Sequence, residues 1–282
     1  MHQLRDKVVL ITGGSSGIGK ATALRLAGCA ARVVVAGRNA AALDEVVKAA
    51  EYLGAEALAV PTDVTDPQQC RRAVEAAVKQ FGRLDILICS AGLSMRAYFE
   101  DSNLEAMERV VRVNFLGTLY CTHYALPHII QSHGVLVALS SLTGIRGVPS
   151  YSLYGATKFG VEGLYDALRL ELKRHKVHVG VVAPGFVATP LRENVLGPGG
   201  EPWNNPPPPP FRIWPVEKCV DKIMHLLLRR RRHMNLPWFM GPLFWLDEIV
   251  LRMIGNAILR YAFPRVLPSS EGAPRPPARD EG

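Results

Sequence analysis

The chain has 282 residues, of which 48% are hydrophobic and 21% charged. That suits one large α/β domain or two small ones and excludes a mainly disordered protein. The formal net charge of +8 admits nucleic acid, an acidic membrane surface or a phosphorylated ligand as partners. The one dense basic run is the four arginines at 229–232, and no nucleic-acid module or aromatic-interleaved basic stripe accompanies it, so no nucleic-acid partner is expected.

The first two-thirds alternate regularly. Near-continuous apolar runs read as strands buried on both faces: KVVLIT (7–12), ARVVVAG (31–37), AEALAVP (55–61), LDILICS (84–90), GVLVALSS (134–141) and HVGVVAP (178–184). Helical patterns lie between them at 19–28, 39–53, 66–81, across 103–131 as one long stretch, and at 154–175. This order predicts parallel βαβ units with right-handed crossovers. The expected fold is α/β: a Rossmann-like doubly wound parallel β-sheet with helices on both faces, in a single domain over 1–235.

After Thr189 the character changes. A substrate loop is expected at 190–215, with a five-proline run inside GPGGEPWNNPPPPP (197–210) that reads as polyproline II. A helical pattern at 216–232 and a short last strand near HMNLP follow. Residues 236–266 read as an apolar, amphipathic C-terminal helical extension, and 267–282 as a disordered tail. The apolar stretch at 236–246 is too short and too proline-broken to span a bilayer, and no signal peptide is read at the N-terminus. Five scattered cysteines without a C-x-x-C pair read as reduced thiols packed as small apolar groups, in a cytoplasmic protein. The histidines, including His175 and His178, lack zinc-ligand spacing, so no metal is expected.

The sequence TGGSSGIG (12–19) opens the first helix after the first strand. Glycines there admit special backbone geometry and close ligand approach, and the helix N-terminus favours a pyrophosphate. The second strand ends in AGRN, with Gly37 where many dinucleotide sites carry an acid, and Arg38 after it. An acid repels a 2′-phosphate and an arginine can pair with it, which predicts NADP(H) over NAD(H). Asp63 ends the third strand; it either accepts from an adenine amino group or caps the helix near Pro67. Tyr154 and Lys158 stand at i and i+4, on one face of a helix expected to begin near Ser152. A neighbouring ammonium favours phenolate, so the Tyr154 pKa is expected to fall.

Taken in order, Thr12-Gly-x-x-x-Gly-Ile-Gly19, Asp63, Ala91-Gly92, Asn114, Ser141, Tyr154-x-x-x-Lys158 and Pro184-Gly185 make the chain resemble the short-chain dehydrogenase/reductase family over about residues 5–195. The resemblance implies a catalytic set of Asn114, Ser141, Tyr154 and Lys158. Tyr154 would exchange a proton with the substrate oxygen, and Lys158 would lower the Tyr154 pKa and hold the nicotinamide ribose. Ser141, favoured over Ser140 by its spacing from Tyr154, would hydrogen-bond the carbonyl. Asn114 would anchor a water in a proton relay. Cofactor contacts are implied for Gly13, Ser15, Ser16, Gly17, Ile18, Gly19, Arg38, Asp63, Val64, Ser90, Ala91, Gly92, Asn114, Tyr154, Lys158, Pro184, Gly185, Val187 and Thr189. The chain departs from the family's frequent Asn-Asn-Ala-Gly by reading Cys89-Ser90-Ala91-Gly92, which puts local sheet bracing in question.

In that family the segment after Thr189 covers the substrate. Here it supplies Leu191, Val195, Leu196, Trp203, Phe211 and Trp214 with few charges. A hydrophobic ketone or secondary alcohol follows: a lipid, steroid, retinoid or 3-keto long-chain base. The alternative is a non-catalytic NADP(H)-binding sensor or scaffold of the same fold, and an epimerase or dehydratase fits the glycine spacing less well. Two readings of the tail stay open. The arginine run and the Trp238/Phe239/Phe244/Trp245 cluster form a peripheral membrane contact, or the extension packs on the domain or across a homo-oligomer interface.

Overall fold

The computed structural model describes residues 2–203 and 211–239. The expected polyproline II run, most of the expected C-terminal extension and the tail lie outside these residues. The strands are β1 (Val8–Thr12), β2 (Arg32–Gly37), β3 (Ala57–Pro61), β4 (Ile86–Cys89), β5 (Val135–Leu139), β6 (His178–Pro184) and β7 (His233–Leu236). They form one seven-stranded sheet in the order β3-β2-β1-β4-β5-β6-β7, with every pair parallel. The chain reverses its direction of travel across the sheet between β1 and β4, the place where open α/β sheets bind ligands.

Alternate residues of each strand feed two cores. Val9, Ile11, Val33, Val35, Ile86 and Ile88 face helices α1 (Gly17–Ala27), α2 (Ala40–Tyr52) and α8 (Val216–Arg229). Val8, Leu10, Val34, Leu87, Cys89 and Leu136 face α3 (Pro67–Phe81), α5 (Gly117–Gln131) and α6 (Ser152–Glu171). Both faces being apolar is why the strands read as unbroken runs rather than alternations. The five cysteines are all unpaired and buried.

The stretch expected as one helix over 103–131 is divided. α4 (Leu104–Val111) and α5 flank a wider π-type turn at Arg112–Leu116, centred on Asn114. Such turns admit an extra residue to the helix and re-aim a side chain; here it is the wholly buried Asn114.

A short α7 (Pro190–Glu193) opens the loop expected to cover the substrate, and this loop is tied down on both sides. Leu196 bridges Met95, and Trp214 pairs with Phe186 and Ala188 through backbone hydrogen bonds. Val195 and Leu196, expected in the substrate cover, are 5% and 4% exposed. Leu196 sits with Met95, Ala97, Ala106 and Val110 in a satellite core. They anchor the loop rather than present a surface.

The arginines at 229–232 are exposed where β7 begins, and Trp238 and Phe239 are exposed just beyond its other end. At about 3.3 Å per residue, the four-residue strand holds the two groups apart, the aromatic pair lying at the C-terminal, ligand-binding end of the sheet. No helix among the described residues is long and apolar enough to cross a membrane.

Candidate active site

The groups of the site sit at the C-terminal edge of the sheet or on elements that start there. The loop after β1 shows how closely that edge is packed. Gly13 and Gly17 hold positive φ, 66° and 52°, which glycine adopts at little cost. A Cβ on Gly13 would come 2.8 Å from the Ala91 backbone, and one on Gly19 only 2.2 Å from the Gly13 carbonyl oxygen. Thr12 braces the same junction, its Oγ1 accepting from the N–H groups of Ser90 and Ala91, both at 3.2 Å. Cys89 turns away into the core beside Thr118, Thr122 and Tyr165, and burial pushes its thiol up to about 11. The Cys-Ser variation is therefore absorbed by backbone contacts and apolar packing.

These features fit a dinucleotide. Asn39 and Asp66 cap α2 and α3 with side-chain hydrogen bonds, whereas Ser16 makes none at the start of α1, leaving its first N–H groups for an anionic ligand. Ser15 Oγ lies beside Gly37, 3.3 Å from where a Cβ would be, and Arg38 emerges exposed next to it. Gly17 packs on Thr189, and Thr189 Oγ1 donates to the Val187 carbonyl at 3.4 Å. The two ends of the groove, the glycine loop and the turn after Pro184 and Gly185, are thus in direct contact. Ile18 is half-buried on α1 and packs against the core; Val64 is buried against Gly117.

Asp63 resolves one open alternative. The cap of α3 is Asp66, which accepts from the N–H groups of Gln68 and Gln69 at 2.8 and 3.3 Å. Asp63 instead accepts from Thr65 N and Oγ1 at 2.9 and 2.8 Å, holding a turn at the rim of the groove.

Asn114 is the hub that joins the post-β4 loop to α6. Its Oδ1 accepts from Leu93 N at 2.7 Å, and its Nδ2 donates to the Leu93 carbonyl at 2.9 Å and to Thr157 Oγ1 at 3.1 Å. Thr157 Oγ1 in turn donates to the Tyr154 carbonyl at 2.7 Å. One side chain therefore locks the post-β4 loop to the helix that carries Tyr154 and Lys158. A Cβ on Gly92 would stand 3.3 Å from Asn114 Oδ1 and 3.8 Å from Lys158 Nζ, which places Gly92 against both groups.

α6 begins at Ser152, as expected, and presents Tyr154 and Lys158 one turn apart. Ser141 caps the turn after β5, accepting from Thr143 N at 3.2 Å, and also hydrogen-bonds Tyr154. Ser140 points elsewhere, its Oγ toward the Lys158 carbonyl at 3.5 Å. Lys158 is 5% exposed and donates from Nζ to the Leu139 carbonyl at 2.9 Å.

The expected fall in the Tyr154 pKa does not occur. Tyr154 remains part-accessible along its surface, yet desolvation of its enclosed hydroxyl dominates and pushes it up to about 12; the Ser141 hydrogen bond opposes this. Lys158 does not offset it because its ammonium lies over the ring face, 5.8 Å from the centroid, and is committed to Leu139. Lys158 is itself lowered from 10.5 to about 8 by desolvation, with Cys89 and Glu162 acting the other way.

That depression carries a stability cost. Between pH 8 and 10.5 the unfolded lysine still holds a proton that the folded one has lost, so stability rises with pH there, and below pH 8 the whole cost is present. It amounts to about 3 kcal/mol at most. Lys158→Met leaves the Leu139 carbonyl unpaired, at about 1 kcal/mol. The variant is expected to be more stable than the parent by about 1–2 kcal/mol at pH 7, with the gain vanishing towards pH 10.5. Urea unfolding at pH 7 and pH 10 checks this.

Three groups have roles at the site that the motifs do not show. Thr12 appears only as a letter of the glycine motif, yet it braces the distant backbone N–H groups of Ser90 and Ala91; Thr157 is only a letter inside SLYGATKFG, yet it joins the distant Asn114 side chain to the Tyr154 carbonyl. Arg96 lies in a loop whose sequence, SMRAYF, has neither helical nor strand period. It is nonetheless 7% exposed, with its guanidinium carbon 5.8 Å from the centre of the Tyr151 ring.

Comparison with known proteins agrees with this geometry. The family model of the short chain dehydrogenases matches residues 7–197. The 11-beta-hydroxysteroid dehydrogenase 1A of Arabidopsis thaliana is 34% identical over 255 residues, covering 86% of this chain and 72% of that protein. The 3-oxoacyl-[acyl-carrier-protein] reductase of Thermotoga maritima is 38% identical over 194 residues, covering 68% and 79%. A crystal structure of a Sinorhizobium meliloti 1021 protein assigned to the short-chain alcohol dehydrogenases superposes with a TM-score of 0.64 at 33% identity, covering 66% of this chain and 74% of that one. The chain belongs to the short-chain dehydrogenase/reductase family, oxidoreductases that act on CH–OH and C=O groups with a nicotinamide cofactor.

Proposed function

We propose that the protein is an NADP(H)-dependent oxidoreductase that interconverts a hydrophobic ketone and its secondary alcohol. The observation that carries this reading is the convergence of Ser141, Tyr154 and Lys158 at one edge of the sheet, braced by Asn114. When bound, the nicotinamide supplies or accepts the hydride. Tyr154 holds its proton at neutral pH and is placed to give it to the substrate oxygen during reduction. Ser141, next to Tyr154, is placed to donate to the same oxygen as negative charge develops on it. Lys158 brings positive charge beneath the ring.

The preference for NADP(H) rests on Gly37, Ser15 and Arg38 meeting at the end of β2 with no carboxylate among them. Arg38→Leu removes a charge-assisted contact to phosphate and is expected to lower kcat/KM for NADPH by roughly 10–100-fold, with little change for NADH. Equal losses with both cofactors would remove Arg38 from 2′-phosphate recognition. Support for an apolar substrate comes from the exposed Leu191, Phe211 and Ile213 of the substrate loop, and from relatives named for steroid and acyl substrates. The direct test is NADPH oxidation, followed optically, against a panel of apolar ketones, 3-keto lipids and steroids. Absence of binding to either cofactor would overturn the reading of the glycine loop.

A further inference from the structure

The fold parts the arginine run from Trp238 and Phe239 and joins it to a different set of cations. β6 and β7 are neighbours and parallel. The turns that lead into them therefore lie side by side at the N-terminal edge of the sheet, opposite the candidate active site. The first turn follows α6 and carries Lys173, Arg174 and Lys176; the second follows α8 and carries the arginines at 229–232. Hydrogen bonds fix one turn against the other. His178 Nε2 meets the Arg231 carbonyl at 3.1 Å, and Val181 N donates to the Arg232 carbonyl at 3.0 Å. Arg169 donates to the carbonyls of Val179 and Arg232 at 3.1 and 3.5 Å. The local field is positive: burial lowers the His178 pKa, the hydrogen bond to Arg231 opposes this, and the charges of Arg230, Arg169 and Arg232 lower it further.

Little on these turns cancels the charge. Glu171 is the only acid in 169–178, and there is none in 225–235. Lys173, Arg174, Lys176 and the four arginines are all exposed, and none of them makes an ion pair among the described residues. Cations in a last helical turn are ordinary, because they face the negative end of the helix dipole. That accounts for Lys173, Arg174 and Arg229, but not for Lys176, Arg231 and Arg232, which lie beyond the helix ends. Lys176 and Arg230 also hold left-handed φ, 58° and 48°, where a glycine would sit more easily. One apolar residue belongs to the same surface. Leu170, in the last turn of α6, is 74% exposed, and Lys173 and Arg174 follow it by three and four residues, on its side of the helix.

We infer that these two turns form a basic face that docks the protein on an anionic phospholipid surface. Its charge and its exposed leucine both match that partner: anionic head groups pair with the cations, while Leu170 enters the boundary of the acyl chains. A nucleic-acid backbone would meet the cations equally well but gives an exposed leucine nothing to bury against. Docked this way, the protein holds the C-terminal edge of its sheet, with the candidate active site, Trp238 and Phe239, turned away from the lipid. The inference does not depend on which reaction the protein catalyses.

The test is co-sedimentation of the full chain with phosphatidylcholine vesicles that contain or lack phosphatidylserine, at low and high salt. Wild-type protein is expected to partition onto the anionic vesicles and to be released by salt. A basic side chain close to an anionic bilayer contributes about fivefold to partitioning, so Arg231→Gln/Arg232→Gln and Lys173→Gln/Lys176→Gln should each weaken it by roughly 20-fold. Arg71→Gln/Arg72→Gln removes as much charge from the exposed face of α3 and should weaken it by no more than about threefold. Leu170→Ser should lose affinity for the vesicles and keep its affinity for a DNA duplex. Binding of equal strength to neutral vesicles, or equal loss in all three double variants, overturns the docking face. Tighter binding to the duplex than to anionic vesicles at one salt concentration, indifferent to Leu170→Ser, overturns the lipid assignment in favour of nucleic acid. Binding to neither overturns the inference outright.

Discussion

Tyr154→Phe is expected to lower kcat/KM for ketone reduction by about 10³-fold, within the range for loss of a positioned general acid, and to leave NADPH binding nearly unchanged. The substitution removes one oxygen and keeps the ring. The contacts of the ring with Tyr151 and with the Lys158 ammonium therefore survive. What disappears is the hydroxyl that hydrogen-bonds Ser141 at the site edge. With the hydroxyl pushed up to about 12, the phenol is the acid form across the physiological range. Reduction by wild type should therefore be flat in pH up to about 8, where the Lys158 charge begins to be lost. Oxidation needs the phenolate, so its kcat/KM should climb with pH through the same range. Steady-state rates in both directions from pH 6 to 10 check these expectations. A Phe variant that keeps more than a tenth of the activity would remove Tyr154 from the chemistry.

Gly19→Ala should be the most damaging single change at the cofactor end. Its Cβ would lie 2.2 Å from the Gly13 carbonyl oxygen and 2.8 Å from the carbonyl carbon. Both are backbone atoms of a loop already held against Ala91 and Thr12, so neither can yield without opening the strand–helix turn. The expected cost is about 2 kcal/mol or more of stability and at least a 100-fold loss of NADPH affinity, because the N–H groups at the start of α1 move with the loop. Gly163→Ala is the matched control. A Cβ there meets nothing within 4 Å, it lies within α6, and it should be neutral or stabilising by up to about 1 kcal/mol. Urea unfolding and NADPH fluorescence titration of both variants settle the comparison. Equal behaviour would show that the glycine loop tolerates a methyl group and has been misread.

The strands and most helices are legible in the sequence because the sheet is buried on both sides and the punctuation is strong: Gly82 ends α3 at φ 75°, Asp66 caps it, and Asn39 caps α2. The break in the 103–131 helix is not legible. Nothing in RVNFL breaks a helical pattern, and the π-type turn exists because Asn114 reaches Leu93 and Thr157 across the site. The Tyr154 pKa is a similar case. Spacing along a helix gives the Lys158 neighbour, but the direction of the shift depends on how much protein encloses the hydroxyl and on which way the ammonium points.

The sequence alone therefore determined the strands and the place of the glycine loop, and it named Ser141, Tyr154, Lys158 and Arg38 as candidates, all of them local patterns or fixed spacings. Only the tertiary structure decided that Asp66 rather than Asp63 caps α3, that Val195 and Leu196 anchor the substrate loop, and that the arginine run and Trp238 stand at opposite ends of β7. It also set Arg96 against Tyr151, the ring neighbour of Tyr154. The reason is the same in each case: these are contacts or placements set by backbone geometry between segments distant in the chain, and no periodicity of side chains encodes them.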